Sequence, residues 1–127
     1  MKQTDPEMLA RAATLLEELK IKRGGAVLEF HRQMANDPAI LQGFSHMYDM
    51  ANTEMKHIPR KYAELIVYAV GCAINAPTTI DVHSKLALKY GATIDELGEA
   101  LRIVFFLCGV GGLTPGLKPF EALEETK

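Results

Sequence analysis

The stretch whose reading decides the fold is YAELIVYAVGCAINAPTTIDVHSKLALKYGA, residues 62–92. It reads as two helices with a break between them. Pro59 opens the first, which is expected to continue to about Ala76. From Tyr62 to Ile74 its only charge is Glu64. A helix that is apolar nearly all round is central in its bundle or covered by another subunit. Pro77 ends it, Thr78 or Thr79 is a cap for a second helix over about 78–90, and Gly91 stops that helix.

Two side chains in this stretch ask for partners. Glu64, Tyr68 and Cys72 are spaced by four and share one helix face. A carboxylate there loses hydration unless it is paired or protonated. Two readings are open for Glu64: a solvent-facing sliver of the first turn near Lys61, or a buried acid with a raised pKa or a histidine partner. On the second helix Ile80, His83, Ala87 and Tyr90 form a stripe, with Asp81, Ser84, Lys85 and Lys89 largely off it. His83 is therefore expected to point inward or into a cleft, either as a hydrogen-bonded core histidine or as a working one. The Pro77 turn makes the two helices an antiparallel hairpin. Glu64 lies 12 residues before Ala76 and His83 seven after it, so the two are expected at different heights. Contact between them would need a bend near Asn75–Pro77, a water or a second subunit.

Working outward, nearly every other segment also reads as helix. Asp5-Pro6 and Asp37-Pro38 each give a cap followed by proline at the first helical position. They open helices carrying Leu9, Ala12, Ala13, Leu16 and Leu19, and, over about 38–54, Ile40, Leu41, Phe44, Met47, Tyr48 and Ala51. Gly24-Gly25 ends the first of these, and a helix near 26–35 lies between them. Thr93-Ile94-Asp95-Glu96 is a capping box that starts a sixth helix, ELGEALRIVFFLCGV. Gly111-Gly112 and Pro115 are expected to interrupt the chain, leaving a short amphipathic tail. The expectation is one all-α domain over residues 1–127, a compact bundle of about six helices.

Composition narrows the functions. A chain of 127 residues that is 48% hydrophobic and 24% charged suits one globular domain. Its formal charge is −2, and the densest basic cluster is Lys20, Lys22 and Arg23, too little for a nucleic-acid surface. The longest uncharged run, Leu65 to Ile80, holds Asn75, Pro77, Thr78 and Thr79 and is too short and broken to span a bilayer. The N-terminal segment has acids among its apolar positions and no signal-peptide core, so a cytoplasmic location is expected. Cys72 and Cys108 form no C-x-x-C and fit a reducing compartment as small hydrophobes. His31, His46, His57 and His83 share no ligand spacing, so a zinc site is not indicated.

At AELIVYAVGCAINAPTTIDVHSKLALKYGATIDELGEALR the sequence resembles the carboxymuconolactone decarboxylase family, which includes the alkyl hydroperoxidase D-like proteins. The resemblance covers roughly residues 25–120. The hydroperoxidase branch has a Glu, eleven residues, C-x-x-C, three residues and a His; Glu64 and His83 fall on its first and last positions. KYGATIDELGEAL and GVGGLTP match the family's helix breaks. Ala76 and Thr79 occupy the two cysteine positions, and Cys72 lies one turn too early to replace the first. The family's disulfide-linked peroxide reduction is therefore not expected, whereas the decarboxylase branch also lacks the pair. The resemblance further implies an alkyl hydroperoxidase D-like fold and homo-oligomers, often trimers or hexamers, with sites close to subunit contacts. That agrees with the apolar fourth helix and with IVFFLCGV, which one small domain would struggle to cover.

Three functions follow. The first is a cofactor-free lyase that decarboxylates a small carboxy-lactone, with His83 as proton donor or oxyanion stabiliser, Glu64 orienting it, and Tyr68 and Thr79 binding substrate. Arg60, Lys61 and Arg102 are the candidate clamps for an acidic substrate. The second is a thiol-dependent antioxidant protein using Cys72 or Cys108 alone, which would require a depressed thiol pKa. The third is a non-catalytic oligomeric binding protein on the same scaffold.

Overall fold

The computed structural model describes residues 1–126, and among these the secondary structure is helical throughout. The chain divides into two compact units, Met1–Lys56 and a second from His57 onward.

The first unit contains α1 (Pro6–Lys22), α2 (Glu29–Met34), α3 (Pro38–Tyr48) and a π-helical turn, Asp49–Thr53. The two Asp-Pro signals act as the sequence predicts. Asp5 accepts from the N–H groups of Glu7 and Met8 at 2.8 and 3.1 Å, and Asp37 accepts from Ala39 at 3.0 Å. These caps satisfy donors that the helix itself leaves unpaired. Ala12, Leu19, Ala35 and Leu41 form the buried centre, flanked by Leu16, Phe44 and Tyr48. The apolar spacing predicts a third helix running to about residue 54. Instead its last turn widens, with Glu54 N–H reaching back five residues to the Asp49 carbonyl at 2.9 Å. Asn52 and Thr53 donate to the Tyr48 and Asp49 carbonyls, offering those oxygens side-chain partners.

The second unit contains α4 (Arg60–Ala73), α5 (Pro77–Lys89), α6 (Ile94–Cys108) and α7 (Val110–Gly116). Its core is Tyr68, Cys72, Ile80, Ala87, Leu97, Leu101 and Val104. Helix α4 stops three residues earlier than expected. Asn75 adopts a left-handed conformation at φ 52°, its N–H reaches the Cys72 carbonyl, and the Ala76 N–H reaches the Gly71 carbonyl. This pair of bonds is the Schellman ending, and asparagine is the residue after glycine best able to adopt it. Thr93 and Glu96 form the predicted capping box, each side chain accepting from the other's backbone N–H at 3.1 and 2.8 Å.

The glycines after α6 correct the sequence reading. The break is at Gly109 (φ 65°), and Gly111, Gly112 and Pro115 lie inside α7, giving seven α-helices among the described residues instead of about six. Gly112 and Gly116 are there for space. A Cβ on Gly112 would come within 2.7 Å of Val104 Cγ1, and one on Gly116 within 2.9 Å of Cys72 Sγ. Both glycines let α7 lie directly on α6 and α4, against Cys72 and Tyr68 of the helix that carries Glu64.

Candidate functional site

Helices α4 and α5 make the most extensive helix–helix contact of the chain. Gly71 permits it: a Cβ at that position would lie 2.9 Å from the Thr79 methyl. This close approach sets the frame for the polar pair above it.

Glu64 is 2% exposed and accepts from both sides. His83 Nδ1 lies 2.5 Å from Oε2, and Arg60 Nε donates to Oε1 at 2.7 Å. That burial overturns the solvent-facing reading of Glu64, and Lys61 pairs with Glu96 at 2.9 Å. The expected difference in height is also corrected. Residues 74–76 form the Schellman turn rather than helix, so Glu64 is nine residues from the end of α4 and His83 six from the start of α5. The remaining offset is about 4.5 Å at the helical rise, which a glutamate and a histidine side chain bridge directly. The turn at Asn75 is the bend that the sequence reading allowed for, and neither a water nor a second subunit is needed.

The buried reading of Glu64 offered a raised pKa or a histidine partner, and the structure has the second. Burial by itself raises the Glu64 pKa, but the hydrogen bond and charge of His83, together with Arg60, outweigh it and hold the carboxyl below its ordinary value. Glu64 is thus a carboxylate at neutral pH. It fixes the histidine tautomer: Nδ1 carries the proton shared with Glu64, and Nε2 has no partner among the described residues. The His83 side chain is 25% exposed, so its free nitrogen belongs to a ring that solvent reaches. A buried anion that orients an accessible imidazole is an arrangement suited to proton transfer.

Arg60 is legible in the sequence only as one of three loose cations. Its i, i+4 spacing to Glu64 is the available signal. Its guanidinium also lies over the Tyr90 ring, 5.0 Å from the centroid, with Lys89 Nζ 6.0 Å from the same ring. Arg102 is elsewhere, beside Glu99 on the exposed face of α6.

Other expected site residues take different roles. Tyr68 is fully buried and its hydroxyl donates to the Gly116 carbonyl at 2.5 Å, so its expected contact with substrate is replaced by a tie between α4 and α7. Thr79 is partly buried one turn before His83, with its methyl against Gly71. Ser84, expected off the inward stripe, is buried, while Tyr90, expected on it, is 43% exposed. Burial raises the Cys72 thiol pKa, the reverse of what a reactive thiol requires. Cys108 is exposed, and both cysteines are free. No group of three or more His, Cys, Asp or Glu able to hold a metal occurs among the described residues. No helix among them is long and apolar enough to cross a membrane.

Two grooves open on another side of α5. The larger, about 590 Å³, lies between Ser84, Leu88, Leu97 and the segment Lys118–Glu121. The smaller, about 250 Å³, is lined by Pro77, Ile80, Pro115 and Pro119 among others. Neither is lined by Glu64 or His83.

A search of curated proteins and a search of solved structures return no match to this chain. The family comparison does. The description of the matching family is Carboxymuconolactone decarboxylase family, and the match spans residues 38–122, which include α4, α5, α6, α7 and both members of the Glu64–His83 pair. With two thirds of its length matched, the chain belongs to the carboxymuconolactone decarboxylase family.

Proposed function

We propose that this chain is a cofactor-free lyase that decarboxylates a small carboxy-lactone or a related acid, with His83 as the proton donor. The observation that carries the reading is the Glu64 carboxylate bridging Arg60 and His83 while leaving His83 Nε2 free. In the step proposed, the bond between the ring carbon and its carboxylate breaks and CO2 leaves. The electron pair passes through the conjugated system onto the lactone carbonyl as a dienolate. His83 Nε2–H then delivers a proton to carbon, and solvent restores it. Glu64 stays ionised throughout and stabilises the imidazolium form before transfer.

A second copy of the chain is part of this reading. Tyr62, Ile66, Val70 and Ile74 form an exposed stripe along α4, each about half exposed or more, beside the turn that carries Glu64. A copy seated on that stripe would cover apolar surface on the side of α4 opposite Glu64, which one small domain leaves open. The protein is then expected to run as a homo-oligomer, trimer or hexamer, when mass is measured by light scattering.

The test is CO2 release from carboxymuconolactone and simpler α,β-unsaturated γ-carboxy-lactones, with deuterium incorporation at carbon followed in D2O. His83→Ala is expected to lower the rate by about 100-fold or more, the range for a lost general acid, and Glu64→Gln by less. Turnover in His83→Ala equal to that of the parent, or none in the parent across the panel, sinks the lyase reading and leaves a binding protein on this scaffold.

A further inference from the structure

We propose that Arg60, steadied on Tyr90 and reinforced by Lys89, is the anion-binding half of the site and selects ligands bearing a carboxylate next to the group that meets His83. The inference deepens the lyase reading and rests on it for the role of His83.

Three observations carry it. The first is donor accounting. Arg60 engages Glu64 through Nε alone, and its two terminal nitrogens have no partner among the described residues. A guanidinium whose outer edge is free presents the paired donors that match a carboxylate. The second is position. Arg60 and His83 hold the two oxygens of one carboxylate, so their free nitrogens lie within the span of a single small molecule. Arg60 is 38% exposed and His83 25%, whereas Glu64 is 2% exposed. A ligand arriving from solvent therefore meets the two donors and not the anion behind them. The third is charge. Lys61 is neutralised by Glu96 and Lys85 by Asp81, while Lys89 forms no ion pair among the described residues. Arg60 and Lys89 both lie by the Tyr90 ring, and the one ion pair that either makes among the described residues is that of Arg60 with Glu64.

The Tyr90 ring does more than add attraction. A guanidinium bonded at one edge to Glu64 and lying over an aromatic face has little rotational freedom left. Its outer edge is thus presented in one orientation, which lowers the ordering cost of binding.

The experiment compares one ligand with and without its charge. Binding of 5-oxotetrahydrofuran-2-carboxylate and of its methyl ester is measured by NMR titration of the full chain. The parent is expected to bind the acid about tenfold or more tighter than the ester, the minimum for one charge-assisted pair. Arg60→Gln is expected to bring the ratio close to one. Arg60→Lys, which retains the charge but not the fork, should fall between, and Lys89→Gln should reduce the ratio about two- to threefold, as for a partly screened charge. Glu64→Gln is the control for a merely structural role of Arg60. It breaks the same ion pair from the other side but keeps the guanidinium, and is expected to hold or increase the ratio. No preference for the acid in the parent, or a preference that survives Arg60→Gln, overturns the proposal. Acid selectivity that depends on Arg60 in a protein that releases no CO2 sinks the lyase reading and supports this one. CO2 release with selectivity indifferent to Arg60 does the reverse.

Discussion

His31 supplies a test of the physical reasoning away from the site. It is fully buried in the first unit, with its ring 4.1 Å from Phe30 and 5.0 Å from Phe44 between centroids. Its Nδ1 accepts the Leu28 N–H at 2.8 Å, which caps the start of α2. Nε2 then carries the proton, buried and without a partner. Protonation would turn the accepting nitrogen into a donor and place two donors against each other. Burial first, then the charges of Arg23 and Arg32, lower the pKa to about 4 from 6.5. The folded pKa lies below the unfolded one, so the contribution is complete above pH 6.5 and is lost as pH falls towards 4. Between pH 7 and 4.5 this group alone removes about 2 kcal/mol of stability, at 1.36 kcal/mol for each pKa unit. Several carboxylates, Glu64 among them, lose stability over acid pH as well, so a matched variant is required. His31→Gln keeps an acceptor for the Leu28 N–H and does not titrate. Urea unfolding of both full-length proteins at pH 7 and 4.5, followed by circular dichroism, isolates the difference. The parent should lose about 2 kcal/mol more than the variant. Equal losses in the two proteins would refute the account of His31.

Three further outcomes follow from the second unit. Tyr68→Phe leaves the Gly116 carbonyl without its donor and should cost about 1–3 kcal/mol in urea unfolding, with turnover per folded molecule unchanged because the hydroxyl faces α7. Gly116→Ala drives a methyl against Leu101 and Cys72 and should cost about 1–3 kcal/mol by overpacking; an unaltered thermal midpoint would mean that α7 does not sit where described. With a colorimetric thiol reagent the native protein should show one fast thiol, Cys108, and the second only on unfolding, since Cys72 is buried with a raised pKa.

Much of the molecule is legible in its amino-acid sequence. The Asp-Pro caps, the capping box at Thr93 and Glu96, and the apolar spacings of α3–α6 are local signals, because the groups that satisfy one another lie within a turn of helix. Glu64 and His83 are legible for a different reason: each is a polar group that an apolar helix has no local means of satisfying. Tertiary structure decides what they touch. Subtracting the Schellman turn at Asn75 from α4 brings them into register, and the close seam at Gly71 sets the helices near enough to bond. The glycines of α7 read as a break in the sequence because their purpose, room for Leu101, Val104 and Cys72, lies in residues outside their own helix. Tyr68 likewise exchanges an expected ligand for the carbonyl of Gly116, 48 residues on. Spacing along the chain fixes which residues share a helix face; only packing between helices fixes whether a buried carboxylate meets an imidazole, a guanidinium or neither.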